Sequence, residues 1–365
     1  MSPLPDSSRR SFLAVSTAMG VTGLGAAIGM PAAVANNDNR DEVRVGVMNL
    51  QLYSHMGIWA PILKPFTGMR ITHCWDINPN IAESFAKGYN AIAVKNFDDM
   101  LGKVDAVISG GYYNNPWNHI IHQPYLEAGL PNLINRPFAN SLAKGDKMIE
   151  MARKYKAPIL VPSSFEHTHA MVQAKIWAKD KKITCYNATN SSDDYSTHGI
   201  HGVYLVCRAI AEAGNPVVSV AQQAKNWHSS PAVVTYEHQT PDGRTFMGTL
   251  HLGSFGLGGI RIHTEEEYGG KGFQIDLGTG YPYNRTQLWA PTIWEFESLA
   301  RGNEPSQSLE QIEHKHKVYM AGFWSVLRKE GKPTHLDEIP ADWEAPVDIP
   351  NLNHKDTALF RKKFG

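Results

Sequence analysis

The chain has 365 residues, of which 42% are hydrophobic, which is enough for two domains with buried cores and excludes a disordered chain. Lysine plus arginine and aspartate plus glutamate each number 35, and this balance argues against nucleic acid or an anionic membrane surface as a partner. The cysteines Cys74, Cys185 and Cys207 are widely spaced, so neither a disulfide framework nor a zinc knuckle is expected.

Residues 1–35 have the order of an export signal. Ser-Arg-Arg-Ser-Phe-Leu at residues 8–13 precedes a short stretch rich in glycine and alanine, and Ala-Val-Ala at residues 33–35 fits a cleavage site. This order is typical of a twin-arginine signal, which predicts contact with the twin-arginine translocase and a periplasmic or otherwise extracytoplasmic location. The stretch is short and poor in leucine, so stable membrane insertion is not expected. Residues 36–42 are predicted to be a polar linker.

Residues 43–162 alternate between strand and helix signals. The predicted strands are residues 43–48, 69–76, 91–96, 104–111, 131–137 and 157–164. The predicted helices between them are residues 57–65, 78–89, 97–103, 114–129 and 141–156. Strands separated by helices of this length predict an α/β domain with a doubly wound parallel sheet of the Rossmann type.

The pattern changes in residues 163–331, where longer strands follow one another. The predicted strands are residues 183–191, 217–226, 232–240, 245–255 and 259–267, and the predicted helices are residues 169–180, 200–213 and 308–331. The Pro-Asp-Gly-Arg turn at residues 241–244 predicts a hairpin. We therefore expect a C-terminal α/β domain with an open-faced, mostly antiparallel sheet. We also expect the last helix to pack on the first domain, and residues 332–365 to be an irregular tail.

The turn after the first strand lacks the glycine-rich fingerprint of dinucleotide-binding sites. Asn49, Gln51 and Ser54 occupy the three glycine positions. Asn49 tolerates the left-handed backbone that the first position requires, whereas Gln51 places a side chain where a pyrophosphate would approach the backbone. These substitutions argue against ordinary NAD exchange. Asp76, after the second strand, matches the acidic residue that binds the adenosine ribose, so Asn49, Gln51 and Asp76 are the predicted contacts of any retained NAD or NADP.

Four segments together carry a resemblance to a known family. They are residues 76–80, 104–114, 128–161 and 198–214, in this order. Over about residues 43–325 the chain resembles the glucose–fructose oxidoreductase / inositol dehydrogenase (Gfo/Idh/MocA) family. The resemblance implies a Rossmann domain followed by an open-faced α/β domain, an active cleft between them, NAD or NADP as cofactor, and a sugar or cyclitol as substrate.

The resemblance also assigns residues within the cleft. His201 matches the acid/base histidine of the family, while Thr197 stands where an assisting aspartate is usual. Asn135 and Arg136 stand in the family's Glu-Lys-Pro tripeptide, and both are further predicted cofactor contacts. Arg136 is a fixed cation that cannot donate a proton as lysine does, but it can bind a carboxylate, phosphate or uronate through two hydrogen bonds. The alternative for Arg136 is a salt bridge within the fold.

Further candidates come from position and from the 16 histidines of the chain. Tyr113 and Glu166 lie where substrate-facing residues are expected, and with His201 and Arg136 they complete the predicted catalytic set. His198 and His201 are three residues apart, so on a helix they share a face. With His167 they form a candidate site for a divalent metal such as Mn or Zn, although such histidines also cap helices or pack in cores.

Three functions remain open at this point. The first is an exported oxidoreductase acting on a sugar or cyclitol, with His-assisted proton transfer and NAD(P) bound atypically if at all. The second is a non-redox carbohydrate lyase or hydrolase on the same fold, using His/Tyr acid–base chemistry and a divalent metal. The third is a non-catalytic sugar-binding protein. By analogy with the family, a homodimer or homotetramer is expected, with no nucleic-acid partner.

Overall fold

The computed structural model describes residues 42–50, 54–112, 115–190, 195–196, 199–228, 231–253, 258–265, 272–276, 285–346 and 355–365. The predicted signal peptide and nearly all of the linker lie outside these ranges. Among the helices so described, none combines the length and the apolar character that a membrane span requires.

The first domain is built on a six-stranded parallel sheet with the order β3-β2-β1-β4-β5-β6. The strands are β1 (Val43–Met48), β2 (Met69–Trp75), β3 (Ile92–Ala93), β4 (Ala106–Ser109), β5 (Asn132–Ile134) and β6 (Ile159–Leu160). The helices are α1 (Met56–Phe66), α2 (Pro79–Tyr89), α3 (Asn118–Ile121), α4 (Gln123–Glu127) and α5 (Leu142–Tyr155), with a short 3-10 turn at Asn115–Trp117. Because β1 pairs with both β2 and β4, the chain order reverses there and a crevice opens at their carboxyl ends.

The second domain carries a seven-stranded sheet with the order β12-β11-β7-β10-β9-β8-β13. Its strands are β7 (Ile183–Asn190), β8 (Val217–Ala224), β9 (Ala232–Gln239), β10 (Thr245–Leu252), β11 (Gly258–Thr264), β12 (Phe273–Asp276) and β13 (Thr334–His335). Among the described strands of this sheet only β7 and β10 pair in parallel, so the sheet is mostly antiparallel, as predicted. Its helices are α6 (His169–Ala178), α7 (Ile200–Val206) continued by a π turn at Cys207–Ala211, α8 (Arg285–Ala300), α9 (Leu309–Arg328) and α10 (Lys355–Phe364), with a 3-10 turn at Leu336–Glu338.

Local sequence signals set several helix ends. Asn78 caps α2 by accepting a hydrogen bond from the backbone of Asn80, and Pro79 opens the helix. Ser141 caps α5 in the same way. Ser308 and Gln311 form a reciprocal capping box at the start of α9. These ends fall close to the predicted boundaries because the capping residues are visible in the sequence.

Three segments of the chain differ from the secondary structure predicted from the sequence. Residues 97–103, predicted as a helix, form turns. Helix α8 was not predicted, and its Trp289 and Phe296 join the core of the Rossmann domain beside Trp59. Residues 332–365 were predicted to be irregular but contain β13 and α10, whose Phe360 stacks on Trp117 at a ring-centroid distance of 5.1 Å.

The helix at the end of the second domain, α9, packs differently from the prediction. It was expected to pack on the first domain, but its main partner is β8 of the second sheet, and its contact with α5 is smaller. Val318, Tyr319 and Phe323 on α9 are buried in the core that both domains share. Helix α9 therefore contacts both β8 of the second sheet and α5 of the first domain, and side chains on it reach the carboxyl end of β6.

Three buried histidines predict that the folded protein loses stability at acidic pH. Burial lowers the pKa of His122, His238 and His316 to about 4, below the ordinary value near 6.5. The unfolded chain therefore binds more protons between pH 6.5 and 4, so the stability from these groups is complete above pH 6.5 and is lost as pH falls toward 4, by on the order of 3 kcal/mol for each histidine.

The measurement is the free energy of unfolding in urea at pH 7, 6 and 5. H316Q keeps a donor for the carbonyl of Ser141, which His316 contacts at 3.0 Å, and should flatten the pH dependence. H335Q changes an exposed histidine and should leave the slope unchanged. Equal slopes in the wild type and H316Q would show that His316 is not a source of the acid sensitivity.

Candidate active site

Arg136 and His201 meet where the first domain packs against the second. Arg136 follows β5 at the carboxyl end of the Rossmann sheet, where α/β folds bind ligands, and His201 lies in the first turn of α7. Nη2 of Arg136 donates a hydrogen bond to Nε2 of His201 at 2.7 Å. Arg136 is fully buried and His201 is 7% exposed. The structure thus brings together the two residues that the sequence singled out as acid/base and cation.

The hydrogen bonds of His201 define its neutral tautomer. A guanidinium only donates, so Nε2 is an acceptor and the proton of the neutral ring is on Nδ1. Nδ1 lies 2.6 Å from the hydroxyl oxygen of Ser163, at the end of β6. The guanidinium carbon of Arg136 lies 4.5 Å from the centre of the Tyr112 ring, which packs against the cation. The imidazole is therefore held at both nitrogens.

Glu166 contacts Ser163, the residue whose hydroxyl lies next to His201. It is fully buried, and one carboxylate oxygen accepts a hydrogen bond from Nζ of Lys315 at 2.8 Å. The other oxygen accepts from the backbone N–H of Ser163 at 2.6 Å. Burial raises the pKa of Glu166, and the ammonium group opposes that shift. Both carboxylate oxygens of Glu166, which was predicted to face the substrate, thus bind protein groups in this structure.

The remaining predicted site residues have different positions. Tyr113, Gln51 and His198 lie outside the described residues. Burial, together with the charges of Arg208 and other neighbouring cations, lowers the pKa of His167 well below its ordinary value. These cations also oppose a divalent ion there. In the ranges that the structure describes, no group of three or more His, Cys, Asp or Glu side chains could hold a metal.

The loop after β1 is joined to the loop after β4. Asn49 has a φ of 58°, the left-handed conformation expected where glycine is usual. Its amide nitrogen donates to the hydroxyl of Ser109 at 2.6 Å. Ser54 forms an antiparallel bridge with Gly111, and the backbone N–H of His55 donates to the carbonyl of Gly110 at 2.9 Å. These contacts cross the mouth of the crevice between β1 and β4.

The carboxylate of Asp76 binds two backbone groups of the protein. Its carboxylate is 3% exposed, and its oxygens accept hydrogen bonds from the backbone N–H groups of Leu50 at 2.6 Å and Asn78 at 2.9 Å. The predicted ribose ligand therefore holds the degenerate loop against the end of β2.

His55 is a site residue that the sequence analysis missed. Its ring lies 4.2 Å from the ring of Trp289 and 4.8 Å from that of Tyr112, measured between centroids. Its Nδ1 lies 3.1 Å from the amide oxygen of Asn135, whose amide nitrogen donates to Gly110 at 2.6 Å. The sequence signal was weak, because Trp289, a ring partner of His55, lies on helix α8, and that helix was not predicted.

A dinucleotide in the ordinary pose does not fit the described part of this crevice. The candidate cofactor contacts Asn49, Asp76 and Asn135 bind other protein groups, and the loops that would flank a pyrophosphate bind each other. A Cβ on Gly110 would come within 2.4 Å of the Ser54 hydroxyl, so the two loops are in close contact. No chemical step is therefore assigned to a dinucleotide in this arrangement.

The buried pair of Glu166 and Lys315 generates a stability prediction. Replacing one partner leaves the other charge buried without its ion, which costs about 3–5 kcal/mol. We expect K315M and E166Q each to lower the free energy of unfolding, and the double variant to lose clearly less than the sum of the two. Urea unfolding of all four proteins measures the coupling, and strictly additive losses would contradict a direct charge interaction.

Comparison with known proteins finds a family match for the N-terminal part of the chain and similar folds among solved structures. Residues 19–163 match the model of the Gfo/Idh/MocA oxidoreductase family with an NAD-binding Rossmann fold. No curated protein is significantly similar to the chain in sequence. Similar solved structures include the myo-inositol dehydrogenase of Lactobacillus casei in complex with NAD(H) and myo-inositol, at 14% identity and a TM-score of 0.65, covering 84% of this chain and 99% of that one.

Two further solved structures are similar over comparable lengths. The scyllo-inositol dehydrogenase of Lactobacillus casei with NAD(H) and scyllo-inositol has 12% identity and a TM-score of 0.65, covering 81% of this chain and 99% of that one. GenD2 from gentamicin A biosynthesis, in complex with NAD, has 13% identity and a TM-score of 0.66, covering 87% and 99%. At these identities the similarity establishes the fold.

Proposed function

We propose that the chain belongs to the Gfo/Idh/MocA oxidoreductase family, whose model residues 19–163 match, and that it is an exported enzyme that acts on a sugar or cyclitol. His201 is the proton-transfer residue, Arg136 orients the substrate, and any NAD or NADP is bound atypically. The observation that carries the proposal is the buried contact between Arg136 and His201 at the carboxyl end of the sheet. The inositol substrates of the similar structures support the substrate class.

The chemistry follows from the two hydrogen bonds of the imidazole. A substrate oxygen that accepts the Nη2–H of Arg136 draws the guanidinium from Nε2 of His201. The freed lone pair then accepts the proton of a substrate hydroxyl, so that the O–H bond breaks and an N–H bond forms. The imidazolium keeps its Nδ1–H directed at Ser163. Arg136 remains charged throughout, because a guanidinium does not release its proton at neutral pH.

A second candidate function is a non-redox carbohydrate lyase or hydrolase on this fold. One observation favours it: the loops at residues 54–55 and 110–111 bind each other across the crevice, which leaves acid–base chemistry by His201 as the part of the reaction that the described residues supply. For either function we propose export by the twin-arginine translocase, from the sequence of residues 1–35. We also propose a homo-oligomeric state, by analogy with the family.

Dinucleotide binding separates these functions. We expect calorimetric titration with NAD and NADP to show no reversible binding tighter than about 1 mM, because the fingerprint glycines are replaced in the sequence and the loops at residues 54–55 and 110–111 bind each other. Denatured protein should then be assayed for released NAD(P). Stoichiometric release supports a permanently held cofactor and the oxidoreductase, whereas its absence favours the non-redox function. Micromolar reversible binding of NAD would contradict the atypical site.

Arg136 predicts a preference for anionic sugars. Glucuronate and glucose differ in a carboxylate, which a guanidinium binds through two charge-assisted hydrogen bonds. We expect glucuronate to raise the melting temperature more than glucose at equal concentration, and R136Q to remove that difference. H201N is the matched control, because it changes the other member of the pair and should keep the preference while lowering turnover by about 100-fold or more. Equal shifts by both sugars in the wild type would refute the role of Arg136.

A further inference from the structure

The hydroxyl of Ser163 occupies the position of a partner for the acid/base histidine. It lies 2.6 Å from Nδ1 of His201 and is fully buried. In the resemblance described above, an aspartate at the position of Thr197 would assist this histidine, and threonine lacks the carboxylate. Ser163 comes from a different part of the chain, the end of β6, so sequence position alone does not reveal it.

The direction of the hydrogen bond follows from the surrounding donors. Because Arg136 donates to Nε2, the Nδ1–H of His201 donates to the Ser163 oxygen. The backbone N–H of Phe165 also donates to this oxygen, at 3.2 Å. Two donors thus converge on Ser163 Oγ, which fixes it as an acceptor for the imidazole.

Ser163 is itself held by the buried ion pair. Its backbone N–H donates to Glu166, and Lys315 on α9 binds Glu166 and the carbonyl of Val161 at 2.9 Å. Gln307 donates to the same carboxylate at 3.1 Å. The turn after β6 is therefore anchored on both sides of Ser163, and the position of the hydroxyl is set from α9.

We propose that Ser163 is the positioning residue of His201, replacing the assisting aspartate, and that the pair of Glu166 and Lys315 holds it in place. Ser163 accepts the Nδ1–H in both the neutral and the protonated ring, so it orients Nε2 toward the substrate and stabilises the imidazolium. This inference rests on the proposed function of His201 only for its effect on turnover. The hydrogen bond itself is measurable without any substrate.

The chain offers a matched control in the next residue. Ser164 is also buried, and its hydroxyl makes no hydrogen bond to any residue that the structure describes. We expect proton NMR of protein labelled with 15N-histidine to show a protected Nδ1–H and an unprotonated Nε2 for His201 at neutral pH, assigned by its loss in H201N. S163A should remove the protection, whereas S164A and S163T should retain it.

Turnover provides the second readout. Losing one hydrogen bond to a charged ring predicts a fall in kcat of about 10-fold to 100-fold in S163A, with rescue by S163T. The acidic limb of its pH profile should move to lower pH, because the imidazolium has lost an acceptor. Retained Nδ1–H protection in S163A, or equal loss in S164A, would overturn the proposal. If S163A does not fold, a wild-type ring protonated on Nε2 at neutral pH would overturn it.

Discussion

The hydrogen bond from Arg136 to His201 is the contact on which the site depends. It joins the end of β5 in the first domain to the start of α7 in the second, so it also ties the two domains together. It fixes which nitrogen of the imidazole is basic, because a guanidinium can only donate. A lysine in this place could release a proton, whereas arginine keeps its charge, so in the proposed mechanism His201 alone transfers the proton.

The site combines the fold of a dinucleotide-binding domain with an altered crevice between β1 and β4. The parallel sheet, the change of strand order between β1 and β4, and the acidic residue after β2 are those of a dinucleotide-binding domain. Yet Asp76 binds the degenerate loop, and the loops after β1 and β4 bind each other. Loss of the first glycine contributes directly to this joining, because the side chain of Asn49 donates to Ser109 across the two loops, while the hydroxyl of Ser54 donates to the carbonyl of Asn49 within its own loop.

The sequence predicted the fold class better than it predicted the contacts within the site. Strand and helix periodicity and the left-handed turn at Asn49 are local features, and the structure agrees with them. The ion pair of Glu166 was not predicted, because its partner, Lys315, is 149 residues away in the chain. Helix α8 escaped prediction because its apolar residues lack a clear amphipathic period, and His55 was missed with it.

The most direct test is a crystal structure of the protein soaked with glucuronate. The account predicts that the carboxylate binds the guanidinium of Arg136, that Nε2 of His201 faces a substrate hydroxyl within hydrogen-bonding distance, and that Ser163 keeps its contact with Nδ1. Glucuronate bound elsewhere, with the hydrogen bond from Arg136 to His201 unchanged, would contradict it.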